Sequence, residues 1–285
     1  MPILKVQDLR KSFPVSSWNR RFIKDEVSAS TSEGRTIAVD GVSFSIYEGE
    51  TLGLVGESGC GKSTLARCIL RLIEPTAGRI EFFGEDLLAL SGRRLRRARR
   101  RMGAVFQDPF SSLNPRMKVS GTIEEPLIIH ALGNRRRRRD RVFELLTLVG
   151  LQETDADRLP SEFSGGQRQR IAIARALANA PELFIADEPV SALDLSIQNQ
   201  IISLLKKLKD ELGMSMFLVS HSLPVVRQLC DRVAVMRQGR ILELAETEVL
   251  FSTPAHPYTR QLLDAVPEPD PRLQRQKARA RQGLN

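Results

Sequence analysis

The stretch Gly56-Glu57-Ser58-Gly59-Cys60-Gly61-Lys62-Ser63, followed by Thr64, decides the fold. It satisfies the pattern G-x-x-x-x-G-K-[ST], with a short apolar strand pattern before it (Thr51–Val55) and a helical pattern after it (Lys62 to about Ile73). Glycines let consecutive backbone N–H groups turn inward around phosphate oxygens, and the positive end of the following helix adds to that cradle. In such a loop Lys62 reaches β- and γ-phosphates. The Ser63 hydroxyl is a hard oxygen ligand suited to Mg²⁺. Cys60 reads as a small residue of the loop, not as a nucleophile.

Downstream, Leu183-Phe184-Ile185-Ala186-Asp187-Glu188 is an apolar strand ending in two carboxylates. Paired with a phosphate loop, Asp187 is placed to hold Mg²⁺ on its water side, and Glu188 to polarise the attacking water. Ser164-Gly165-Gly166-Gln167 opens a further helical stretch and reads as a second anion-binding helix end. One nucleotide does not need both ends. The economical reading is that two chains share two nucleotides, each chain giving its Gly-rich loop to one and its Ser-Gly-Gly end to the other.

Farther out, residues 3–9 and Val42–Tyr47 read as strands, the latter by apolar alternation at Val42, Phe44 and Ile46. Residues 15–36 look like an exposed excursion, rich in Ser and Arg. Residues near 108–180 read as mostly helical. A helical stripe runs through Ile197, Ile201, Leu204, Leu205, Leu208 and Leu212. Ser215–Val219 is another strand, and Gln238-Gly239 is a hairpin turn between Val233–Met236 and Arg240–Glu243. Strands alternating with helices predict an α/β fold around a largely parallel sheet. After Pro267 the chain is Pro-, Arg- and Gln-rich, a flexible tail by composition.

The 285-residue chain carries a formal charge of +9, but the charge is local. Seven arginines lie within residues 93–101 and six within 135–141; with these two segments set aside the remainder is slightly acidic. The runs read first as solvated helix surface. Nucleic acid, anionic lipid or a membrane-protein partner are the other readings. The longest uncharged run, Leu212–Val226, is 15 residues long and contains His221 and Pro224, too short and polar to span a bilayer. The start has no apolar stretch like a signal peptide, so a cytoplasmic location is expected. Cys60, Cys68 and Cys230 form no metal-ligand or C-x-x-C spacing and are expected to be reduced.

Taken together, these residues resemble the ATP-binding-cassette family, over residues 1 to about 272. The resemblance implies a P-loop NTPase core, a mostly parallel sheet flanked by helices. It also implies an N-terminal antiparallel β subdomain, an inserted helical subdomain and a C-terminal extension. The domains would be 1–252 for ATP binding, with the helical part about 108–180, and 253–285 for the extension and tail. In the family's terms Gly56–Ser63 is the ATP-binding loop, Phe163-Ser164-Gly165-Gly166-Gln167 the signature, and Leu183–Glu188 the carboxylate strand. Gln107, in Val105-Phe106-Gln107-Asp108-Pro109, matches the glutamine loop, which ligates Mg²⁺ and senses a membrane partner. His221 matches the switch histidine that contacts the γ-phosphate, and Ser191-Ala192-Leu193-Asp194 the dimer-contact loop. Phe13 sits where the family stacks an aromatic on adenine; an exposed strand-end phenylalanine is the plain alternative. The implied cofactors are ATP and Mg²⁺, the latter on Ser63, Gln107 and Asp187. The implied catalytic set is Glu188, His221, Lys62 and Gln107.

The segment Pro254-Ala255-His256-Pro257-Tyr258-Thr259 through Leu263 is similar to the C-terminal extension of peptide and nickel importer ATPases. Glu57-Ser58-Gly59-Cys60 resembles the F-type subunit of dipeptide and oligopeptide importers. The resemblance implies a chain that powers uptake of peptides or related solutes from the cytoplasmic face of the inner membrane. Its partners would be a second ATPase subunit (a D-type homologue, or itself), two membrane permease subunits and, indirectly, a solute-binding protein, with no nucleic acid. Peptide is the default cargo, with opine, glutathione and nickel open. No cysteine follows Cys230, so no iron–sulfur cluster is expected. The alternative is a cassette ATPase of a soluble nucleic-acid or phosphonate-degradation complex.

Overall fold

The computed structural model describes residues 1–14, 31–32, 34–107, 112–191 and 193–265. Most of the 15–36 excursion, the residues Asp108–Ser111, Ala192 and the tail after Pro267 lie outside the described residues. Two sheets organise the rest. The N-terminal sheet has the order β2-β3-β1-β5-β6, built from β1 (Pro2–Pro14), β2 (Thr31–Ser32), β3 (Arg35–Tyr47), β5 (Ala77–Phe82) and β6 (Glu85–Asp86), all antiparallel. The second sheet has the order β11-β10-β4-β9-β8-β7: β4 (Thr51–Val55), β7 (Met102–Val105), β8 (Leu183–Asp187), β9 (Ser215–Val219), β10 (Arg232–Arg237) and β11 (Arg240–Glu246). All its pairings are parallel except the β10–β11 hairpin.

The central strands are buried along their whole length because both faces are covered. Their side chains divide by the two-residue period. Phe184, Ala186, Met216 and Leu218 enter one core, under the helices, whereas Leu183, Ile185, Phe217 and Val219 enter the other, beneath the antiparallel sheet. Phe44 and Phe217 stack at 5.5 Å and join the two sheets. The helices are α1 (Lys62–Ile69), α2 (Gly92–Arg100), α3 (Val119–Ile129), α4 (Arg135–Leu148), α5 (Gly165–Leu177), α6 (Leu195–Leu212), α7 (Leu223–Leu229), α8 (Thr247–Ser252) and α9 (Pro257–Asp264). The expected α/β core with an antiparallel N-terminal sheet is therefore present. None of the described helices is long and apolar enough to cross a membrane.

Three expectations need correction. The helix after the phosphate loop stops at Ile69 rather than near Ile73, because Arg71 turns to φ 54° and donates to the Leu87 carbonyl. The stripe on α6 buries Ile201, Ile202, Leu204, Leu205 and Leu208, while Leu212 is exposed and Ile197 only partly buried. The arginine runs are also only partly solvated surface. Arg99 donates to the carbonyls of Leu70 and Arg71 at 3.3 and 2.5 Å, Arg138 pairs with Glu124 at 2.8 Å, and Arg141 reaches the Leu177 carbonyl at 3.3 Å. Arg93, Arg97, Arg135 and Arg136 are exposed, as a solvated helix face requires.

Candidate functional site

The phosphate loop connects the C-terminal end of β4 to the start of α1, so α1 points its N-terminal N–H groups into the loop. Gly61 has φ 108°, and a Cβ there would lie 1.9 Å from the Ala38 carbonyl oxygen, so only glycine fits. The loop is held from behind by the β10–β11 turn. Gly239 N donates to the Cys60 carbonyl at 3.0 Å, and Gln238 and Gly239 both have positive φ, as the hairpin turn demands. That turn is in turn fixed to β3: Asp40 N donates to the Gly239 carbonyl at 2.8 Å, and Arg240 Nη2 pairs with Asp40 Oδ2 at 2.6 Å.

Lys62 is buried. Its ammonium donates to the carbonyls of Gly56 (2.9 Å) and Glu57 (2.8 Å) across the mouth of the loop. Cys60 is buried beside it, and burial pushes its thiol up despite the neighbouring ammonium, which keeps it protonated. Ser63 Oγ donates to Asp187 Oδ1 at 3.0 Å, joining α1 to the end of β8. Burial pushes the Asp187 carboxyl above its usual range, with Ser63 pulling the other way and Glu188 adding to the rise.

A cleft of about 580 Å³ gathers most of the groups singled out from the sequence around the loop, though Gly56, Glu57, Cys60 and Asp187 do not line it. Phe13, Ser58, Gly59, Gly61, Lys62, Ser63, Thr64, Gln107, Glu188 and His221 all line it. Phe13 is partly exposed at the end of β1, with Lys11 Nζ 4.8 Å from its ring. His221 follows β9, and its Nδ1 lies 3.3 Å from Glu188 Oε2. Thr36 and Ala38 of β3 also line the cleft and were not singled out. The pairing of Phe13 with Thr36 puts them there, and a strand register of this kind carries no local sequence mark.

Ser164, Gly165, Gly166 and Gln167 do not line this cleft. They open α5 as a reciprocal cap: Ser164 Oγ accepts from Gln167 N at 3.3 Å, and Gln167 Oε1 accepts from Ser164 N at 3.0 Å. Ser164 is exposed, and Gly166 packs so closely on α6 that a Cβ would lie 2.5 Å from Ile197 Cγ2. One chain thus presents two separate helix N-termini, at α1 and at α5.

Residues 39–191 match the ABC transporter family, and residues 242–284 match the oligopeptide/dipeptide transporter C-terminal region. The chain is 52% identical over 251 residues to the oligopeptide transport ATP-binding protein OppF of Bacillus subtilis, covering 87% of this chain and 82% of that one. It is 50% identical over 268 residues to AppF of the same organism, an oligopeptide transport ATP-binding protein, covering 93% and 78%. Among solved structures, the dimeric ATP-binding cassette MJ0796, in a post-hydrolysis state bound to ADP and phosphate, aligns with a TM-score of 0.72. That alignment has 32% identity and covers 86% of this chain and 98% of that one. A strand, phosphate loop and helix N-terminus, closed by a carboxylate strand across one cleft, on a chain matched along most of its length, make this protein an ATP-hydrolysing member of the ABC transporter family.

Proposed function

We propose that this chain is the ATP-hydrolysing subunit of a peptide importer. It would sit on the cytoplasmic face of the membrane and drive separate permease subunits. The observation that carries the reading is the cleft itself, which sets Lys62, Ser63, Gln107, Glu188 and His221 around one nucleotide-sized space. The match of residues 242–284 to the C-terminal region of oligopeptide/dipeptide transporters supports peptide as the cargo class.

In this reading residues 1–252 form the ATP-binding domain and 253–285 the extension. The loop N–H groups from Gly56 to Ser63 bind the phosphates, and Lys62 leaves the carbonyls of Gly56 and Glu57 to meet them. Phe13 stacks on the adenine. The hard oxygens of Ser63 and Asp187, 3.0 Å apart, together with Gln107, fit Mg²⁺. When bound, the ion neutralises charge building on the phosphates. Glu188 orients the attacking water and accepts its proton, and His221 donates to the γ-phosphate. The capped Ser164–Gln167 end, exposed and away from this cleft, serves the nucleotide held by a second ATPase subunit. Closure of the pair then depends on the γ-phosphates, and their loss reopens it.

The test is to co-purify the full chain from its native membrane while recording ATPase rate. The expected result is two multi-span proteins and a second cassette ATPase. Recovery of nucleic acid or a soluble enzyme complex in their place would overturn the importer reading.

A further inference from the structure

The carboxylate of Asp40 has no part in the mechanism above. It lies on β3, two residues beyond Ala38 of the cleft lining, and its side chain is only 8% exposed. Two arginines meet it and offset the cost of burying a charge. Arg10 of β1 donates to Oδ1, and Arg240 of β11 donates to Oδ2 from Nε at 2.7 Å and from Nη2 at 2.6 Å. Only Arg240 belongs to the hairpin that touches the phosphate loop. That hairpin meets the loop at two places. A Cβ on Gly56 would lie 2.1 Å from the Met236 carbonyl oxygen, and Gly239 N donates to the Cys60 carbonyl at 3.0 Å. The second contact sets a direction. In a trans peptide the C=O and the N–H of the next residue point to opposite sides. A Cys60 carbonyl turned back to Gly239 therefore aims the Gly61 N–H away from the hairpin, and Gly61 lines the nucleotide cleft. Asp40 grips the turn twice: its backbone N–H donates to the Gly239 carbonyl at 2.8 Å, and its carboxylate holds Arg240, the next residue.

We propose that Asp40 is a positioning residue for the bound nucleotide: through Arg240 and the Gln238-Gly239 turn it fixes the Cys60–Gly61 peptide so that the Gly61 N–H faces the phosphates. Arg10 shares the charge of Asp40 but stands outside this path, because β1 does not carry the turn. The proposal rests on the reading of Gly56–Ser63 as the phosphate-binding loop.

A double-mutant cycle on the purified full chain tests it. ATP affinity is measured by calorimetry for wild type, Asp40→Ala, Arg240→Ala and the double variant, with Arg10→Ala as the comparison. Losing a negative charge raises affinity for an anion by Coulomb attraction alone, so a loss of affinity in Asp40→Ala reports geometry. That loss is expected to be about 3- to 10-fold, the effect of a hydrogen bond to a charged group, and Arg240→Ala is expected to match it. In the Asp40→Ala background Arg240→Ala is expected to do nothing further, because its partner is gone. Arg10→Ala removes the same charge and the other partner of Asp40, yet is expected to bind ATP like wild type. The Arg10 and Arg240 side chains are 57% and 68% exposed, and each variant leaves Asp40 one guanidinium, so both are expected to melt near wild type. Their comparison decides the point even where Asp40→Ala fails to fold. Unchanged or higher affinity in Asp40→Ala, an equal effect of Arg240→Ala in both backgrounds, or equal losses in Arg10→Ala and Arg240→Ala would overturn the proposal. Wild type binding ATP no better than Lys62→Ala would instead overturn the reading of the loop.

Discussion

Glu188 Oε2 lies 3.3 Å from His221 Nδ1, and the geometry that brings them together is stored in the backbone of Glu188. Glu188 has φ 51°, a left-handed conformation that a non-glycine residue adopts at a cost of about 1–3 kcal/mol. Three bonds hold it there. Glu188 N donates to the Val219 carbonyl at 2.9 Å, and its own carbonyl accepts from Ser191 N at 3.3 Å and Ser191 Oγ at 3.1 Å. The strand thus ends at Asp187, and the next residue swings its carboxylate out of the sheet toward the cleft instead of into a core.

Replacing Glu188 by glutamine keeps the shape and removes the carboxylate proposed to take the proton of the attacking water. ATP turnover in the assembled complex is expected to fall by about 10²–10⁴-fold, with nucleotide affinity close to wild type. Turnover at the wild-type rate would take Glu188 out of the water-activating role.

Ser63 and Asp187 make a second prediction. Their 3.0 Å hydrogen bond joins two oxygens that a hard cation would share. Ser63→Ala removes one ligand and leaves the buried Asp187 without its donor. Affinity for ATP with Mg²⁺ is expected to drop about tenfold or more, while affinity for ATP in a chelator changes by much less. Equal losses with and without Mg²⁺ would show that the hydroxyl serves the phosphates or the fold and not the metal.

The site was more legible in the sequence than the frame around it. Gly56–Ser63, Leu183–Glu188 and the hairpin turn at Gln238-Gly239 are local patterns whose chemistry constrains neighbouring residues, so each could be read in isolation. Thr36, Ala38 and Tyr258 could not. Thr36 and Ala38 reach the cleft through strand register, and Tyr258 is buried through a helix start that Glu243 fixes with bonds spanning 12 to 16 residues of chain. The apolar pattern runs past the end of α1 through Ile73, while Arg71 leaves the helix with φ 54° and bonds a carbonyl 16 residues away. Nor does an arginine run reveal which guanidinium finds a carbonyl.

That last difference is measurable. Arg99 bonds the two carbonyls at the end of α1, Leu70 and Arg71, whereas Arg97 on the same helix is exposed. Arg99→Ala leaves part-buried carbonyls without donors and is expected to destabilise the chain by about 1–3 kcal/mol. Arg97→Ala is expected to stay within about 0.5 kcal/mol of wild type. Denaturant titration of both variants decides the point. Equal stability of the two would mean that water replaces the Arg99 contacts without loss.

Glu243 gives a pH prediction whose sign follows from its surroundings. Burial works to raise its carboxyl, but the bonds from Thr259, Ala255 and His256 outweigh it and hold it below the usual glutamate range. A carboxyl lower in the folded state than in the unfolded one stabilises the fold at pH values above its unfolded pKa, about 4.3. That contribution is lost as the pH falls through the folded value. Glu243→Ala removes the acceptor for three donors and is expected to cost about 1–3 kcal/mol at pH 7 and to speed tryptic cleavage at Arg260. The stability gap between wild type and variant is expected to narrow once the pH drops below about 4, where the wild-type carboxylate becomes protonated. Thermal unfolding of both proteins from pH 7 to pH 3 reads this directly. A gap that stays constant across that range would mean that Glu243 holds the start of α9 by packing and not by its charge.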